Sequence, residues 1–126
     1  ARGGGETILL VDDESDMRES VGEVLVSFGY QVLIAENGED AVKQFKENIQ
    51  DVSLVLSDVV MPKMGGIEAV HIMRKLKKDI PVIFMTGYDR NQVEFSDDET
   101  ATTVIISKPF SIQQLSYELE NLIGSS

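Results

Sequence analysis

Val52-Ser53-Leu54-Val55-Leu56-Ser57-Asp58 is an apolar run that closes on a carboxylate. A strand this apolar belongs in a sheet covered on both faces, where an aspartate is tolerated only at the rim. Three other runs end in the same way: Ile8-Leu9-Leu10-Val11 on Asp12-Asp13, Val82-Ile83-Phe84-Met85 on Thr86, and Val104-Ile105-Ile106-Ser107 on Lys108. Parallel strands would bring all five polar groups to one edge. Three carboxylates, a hydroxyl and an ammonium gathered there suit a divalent cation and phosphoryl chemistry.

Between these runs the apolar residues recur at helical spacing, and that alternation is the mark of successive βα units. Met17, Val21, Val24, Leu25 and Phe28 predict a helix over about 15 to 28, stopped by Gly29. A second strand spans Gln31 to Ala35, followed by a turn at Asn37-Gly38 and a helix with Ala41, Val42 and Phe45 inward. After the third strand, Met61-Pro62 forces an extended loop, Gly65-Gly66 permits a tight turn, and Ile67, Val70, Met73 and Leu76 mark a helix. The fourth strand starts at Pro81, where a missing N–H is tolerated. Asn91 to Phe95 predicts a short, weak helix before the acidic, aperiodic Ser96 to Thr100. Ser111 and Gln114 form a capping box, Phe110 and Leu115 a hydrophobic staple, and Ile112, Leu115, Leu119, Leu122 and Ile123 one face of the last helix. The expected fold is therefore α/β, a doubly wound five-stranded parallel sheet with about five helices in a three-layer αβα sandwich.

A chain of 126 residues is one ordinary domain. Residues 1–5, with three consecutive glycines, read as a flexible lead-in, and 6–124 as the domain. The absence of Cys excludes disulfides and thiolate metal sites. Apolar runs of four to six residues are far shorter than the roughly twenty a membrane helix needs, so no signal or spanning segment is expected. Lys and Arg number 11 against 22 Asp and Glu, a formal charge of -11. So acidic a surface repels phosphate backbones, which argues against direct nucleic-acid binding and favours cations and basic partner patches.

In an open parallel sheet, ligands bind beyond the carboxyl ends of the strands where the strand order reverses. With the flavodoxin-like order 2-1-3-4-5, which is borrowed from that fold class, Asp12-Asp13 faces Asp58 across the crevice. Adjacent carboxylates raise one another's proton affinity, and a hard dication removes the repulsion. Mg²⁺, with Mn²⁺ as a substitute, fits an open rim because it keeps several waters and takes one or two carboxylates. Asp58 is then the nucleophile, with Lys108 and Thr86 around the transferred group.

Four fragments in order carry a family resemblance: Val11-Asp12-Asp13-Glu14, Ser57-Asp58-Val59-Val60-Met61-Pro62 with Gly65-Gly66, Met85-Thr86-Gly87, and Lys108-Pro109-Phe110. Over residues 6 to 124 the chain resembles a receiver domain of two-component signalling. The resemblance implies that Asp58 accepts a phosphoryl group from a phosphohistidine on a histidine kinase or histidine phosphotransfer protein. It implies that Asp13, Asp58 and the Val60 carbonyl hold the metal, with Asp12 acting largely through a metal-bound water. Lys108 would pair with Asp58 or its phosphoryl group, and Thr86 would move toward the phosphoryl oxygens and carry the Gly87 loop with it. Family precedent also implies a cis bond at Lys108-Pro109, a cytoplasmic location, docking near the first helix, and homodimerisation on phosphorylation as one form of output. Such a domain catalyses its own phosphorylation and dephosphorylation without being a free-standing turnover enzyme.

Two departures stand out. Receivers usually place Tyr or Phe three residues before the lysine, where this chain has Ile105, so the signal must travel through Thr86, the Gly87 to Phe95 segment and packing. Val60 and Tyr88, two beyond the acceptor and two beyond the threonine, are bulky and neither acidic nor amide-bearing, which predicts slow loss of phosphate. The blander readings are a helix cap for Asp12-Asp13, with Ser15 or Asp16 able to cap instead, an ordinary turn for Asp58 and a surface charge for Lys108. Their common location outweighs these. His71, the one histidine, lacks the companions of a kinase phosphohistidine and reads as structural or surface, and the methionines as core or loop filling. The competing functions are a receiver-like interaction module without phosphate turnover, an aspartate-nucleophile phosphatase, which would need Asp-x-Asp and a cap, and a flavodoxin-like electron carrier, which would need a less acidic first loop. The glycine-rich lead and Phe84-Met85-Thr86-Gly87-Tyr88 look like receivers attached to hybrid sensor histidine kinases.

Overall fold

The computed structural model describes residues 5–59, 64–87, 103–107 and 110–123. Five strands and four helices follow one another among them: β1 (Thr7–Val11), α1 (Ser15–Ser27), β2 (Gln31–Ala35), α2 (Gly38–Glu47), β3 (Val52–Asp58), α3 (Gly66–Leu76), β4 (Val82–Thr86), β5 (Thr103–Ser107) and α4 (Ile112–Ile123). The helix expected over 91–95 lies outside the described residues. The sheet is parallel throughout, in the order β2-β1-β3-β4-β5.

Alternation along each strand divides the core between the two faces. Leu9, Val11, Val55, Val82 and Phe84 meet Ala41, Val42 and Phe45 of α2 and Ala69, Val70 and Met73 of α3. Their neighbours Ile8, Leu10, Leu54, Leu56, Ile83 and Met85 meet Val21 and Leu25 of α1 and Leu115 and Leu119 of α4. The central strands thus bury both faces, the condition under which a strand can be apolar without a break. Only their ends are left for polar side chains, which puts the chemistry at the rim.

The helix ends show local sequence at work. Gly29 adopts φ 97°, its N–H donates to Val26 O at 2.9 Å, and Tyr30 N donates to Leu25 O at 3.2 Å. This is a Schellman cap, with Leu25 and Tyr30 both buried in the same apolar cluster. At α4, Gln114 N donates to Ser111 Oγ at 3.0 Å, the N-cap half of the expected capping box, and Phe110 packs on the cluster that holds Leu115, as the staple predicts.

Three expectations and one alternative reading need correction. Asn37-Gly38 is not a free turn: Asn37 caps α2, its side chain accepting from Asp40 N at 2.9 Å, and Gly38 opens the helix. Neither Ser15 nor Asp16 caps α1, since both lie within it after the N-cap Glu14, which makes no side-chain capping bond. Leu76 and Ile112, both counted inward by periodicity, are 45% and 58% exposed. Both stand at helix ends, where the spacing continues but the sheet no longer lies underneath.

An acidic candidate site at the sheet rim

The register builds the site. Val11 of β1 pairs with Ser57 of β3, so Asp12 leaves β1 beside Asp58, and Asp58 pairs with Met85 of β4, one residue before Thr86. Carboxylate oxygens of Asp12, Asp13, Glu14 and Asp58 lie within 4.8 Å of one another. Asp12 is fully buried and Asp58 is 8% exposed, while Asp13 and Glu14 face solvent. Two like charges so near and so shielded from water repel one another. An all-oxygen set with one open side is the donor chemistry a hard dication prefers, so these residues fit Mg²⁺.

Hydrogen bonds hold the main chain that carries Asp12 and Asp58. Asp12 N donates to Ala35 O at 3.2 Å, the Asp12 side chain accepts from Glu14 N at 2.9 Å, and Arg18 Nη1 donates to the Asp12 carbonyl at 2.8 Å. On β3, Ser57 Oγ donates to the Asp58 carbonyl at 2.8 Å, Val59 N to Met85 O at 3.1 Å and Gly66 N to Val59 O at 2.9 Å. A Cβ on Gly66 would collide with the Asp58 carbonyl oxygen and stand 2.9 Å from Ser57 Oγ. Here glycine serves close approach rather than an unusual φ: the start of α3 lies directly on the residue that carries the central carboxylate. Gly38 does the same for the neighbouring loop, where a Cβ would strike the Met64 carbonyl.

Of the residues singled out from sequence, Asp12, Asp13 and Asp58 are brought together and Thr86 ends the adjacent strand, 1% exposed. Gly87 is exposed just beyond it, with nothing among the described residues where a Cβ would be. Ile105 is half-buried against the α2–α3 face of the core. Val60, Tyr88, Lys108 and Pro109 lie outside the described residues. His71 is exposed on α3, away from the core, and Met73 and Met85 fill the core. Sequence reasoning missed Arg18, Ser57 and Gly66 as supports of the cluster. One signal for Arg18 was present: it is the only Lys or Arg between Glu6 and Val42.

Comparison with known proteins agrees with this geometry. The response regulator receiver protein CpdR of Brucella abortus is 33% identical over 116 residues, 92% of this chain and 95% of that protein. The sensor kinase CckA of the same organism is 35% identical over 120 residues, 95% of this chain but only 13% of the kinase. The chain thus spans nearly all of one relative and a small part of another. Response regulator TrrA of Thermotoga maritima, solved in complex with Mg(2+)-BeF, superposes with a TM-score of 0.78 at 35% identity, covering 93% of this chain and 98% of that one. The profile of the response regulator receiver domain matches residues 8–120, and the chain belongs to that family, the receiver domains of two-component signal transduction.

Proposed function

We propose that Asp58 is the phosphoacceptor of this receiver domain and that Mg²⁺ is held by Asp13 and Asp58, with Asp12 and Glu14 oriented toward its water shell. The observation that carries the reading is the convergence of four carboxylates within 4.8 Å at the end of the central strands. An Asp58 carboxylate oxygen attacks the phosphorus of a phosphohistidine. The new P–O bond forms as the P–N bond breaks, and the donor imidazole keeps the electron pair and takes up a proton. Bound Mg²⁺ supplies charge neutralisation on the phosphoryl oxygens. Asp58 has the position for this role because its carbonyl is pinned by Ser57 Oγ and its chain neighbour Val59 is tied to both Met85 and Gly66. Thr86, on the next strand, supplies a hydroxyl for a phosphoryl oxygen, and Lys108, one residue beyond β5, supplies a countercharge.

The donor in this reading is a histidine kinase or a histidine phosphotransfer protein, in keeping with the kinase among the relatives. No helix among the described residues is long and apolar enough to cross a membrane. Incubation with acetyl phosphate or phosphoramidate and Mg²⁺ tests the assignment by intact mass. The wild-type chain is expected to gain one phosphoryl group, and Asp58→Asn to gain none. An interaction module without phosphate turnover would show no gain in either.

A further inference from the structure

We propose that Arg18 is a positioning residue for the acidic rim: it tethers the main chain of Asp12 so that the Asp12-Asp13-Glu14 turn stays gathered in the arrangement that takes Mg²⁺. The inference rests on the Mg²⁺ reading given above. Arg18 lies in the second turn of α1 with its side chain only 16% exposed, and its two terminal nitrogens point to different partners. Nη2 stands 3.8 Å from Glu36 Oε1, a loose pair with a carboxylate that is 71% exposed. Such exposed pairs contribute little. Nη1 donates to the Asp12 carbonyl at 2.8 Å, a charge-assisted bond in a shielded place.

Asp12 is thereby held at three atoms. Its amide is tied to β2 through Ala35 O, its carbonyl to α1 through Arg18, and its side-chain oxygen to Glu14 N across the turn. The main chain of Arg18 closes the first turn of α1 directly after it, its N–H donating to Glu14 O at 3.0 Å. Gathered like charges push their loop open, and a bond to the main chain resists that push without occupying a carboxylate oxygen that a metal would need.

Arg18 carries two opposite effects on Mg²⁺. As a cation beside the cluster it repels the metal, and as a tether it preorganises the ligands. The sign of the change on its removal separates the two. Isothermal titration of the metal-free chain with magnesium chloride reads it, with thermal unfolding in EDTA showing that each variant is folded. Arg18→Met keeps the apolar stem and removes both donors, and it is expected to bind Mg²⁺ about three- to tenfold more weakly, the low end of what supporting groups contribute to metal sites. Arg18→Lys, which keeps the charge and one donor, is expected to restore most of the loss. Glu36→Gln is expected to stay within about twofold of wild type, its loose exposed pair contributing little.

Unchanged or tighter binding by Arg18→Met would overturn the inference alone, as would a lysine variant that restores nothing. Should the methionine variant fail to fold, Arg18→Gln, a second neutral side chain too short for the same reach, carries the same expectation and the same refutation. Absence of Mg²⁺ binding by the wild-type chain would overturn the metal reading and this inference with it.

Discussion

At the scale of single residues, the site depends on atoms that bear no chemistry of their own. Asp12 and Asp58 announce themselves in the sequence because a carboxylate at the end of a doubly buried strand needs a reason to be there. Gly66 does not, because its function is the space its missing side chain leaves for the Asp58 carbonyl, and that contact exists only after β3 and α3 have packed. Gly66→Ala is expected to lower stability by about 1–3 kcal/mol, the usual cost of forcing atoms into a filled space, and to slow labelling of Asp58 by acetyl phosphate. Urea denaturation and the labelling rate check the two parts.

Among the elements, two arginines divide the work between the ends of the sheet. Arg18 serves the carboxyl ends of the strands. Arg74 serves the opposite end, donating through Nη2 to Ile80 O at 3.1 Å and through Nη1 to Thr103 Oγ1 at 2.8 Å, so that α3 is tied to the start of β4 and of β5. Arg74→Met leaves these acceptors short of a charged donor and is expected to cost about 1–3 kcal/mol in urea denaturation, with Mg²⁺ affinity unchanged. Hydrophobic periodicity made the helices themselves legible, and it also explains the errors at Leu76 and Ile112: spacing reports which side of a helix faces inward, but not where the sheet beneath it ends. At α1 the chain enters the helix through an Asx turn, the Asp12 side chain accepting from Glu14 N two residues on, and that choice follows from where β1 ends.

In the molecule as a whole, strand order was the part that residues alone did not dictate. Alternating βα units required a parallel sheet, but the reversal beside β1, which brings Asp12 against Asp58, was borrowed from a fold class and is now observed. Tyr30 is 5% exposed and feels the charges of Glu6 before β1 and of Glu120 in α4. Burial first, and then the charges of Glu6 and Glu120, raise its phenol above the ordinary value of 10.0. A raised acid is favoured in its neutral form by the fold. Its contribution is therefore complete below the unfolded value and is lost as pH climbs from about 10 through the folded value. Chemical denaturation across that range should show wild type losing stability faster than Tyr30→Phe, which keeps the ring and cannot ionise. Parallel curves would contradict this assignment.

The central claim, that Asp58 takes the phosphoryl group, is tested most directly by locating the label. Borohydride reduction of the chain after acetyl phosphate and Mg²⁺ treatment converts an aspartyl phosphate to homoserine, and peptide mapping then reads its position. The account predicts homoserine at position 58 and nowhere else. Homoserine at Asp12 or Asp13 with Asp58 intact would contradict it, as would labelling of Asp58→Asn to the wild-type level.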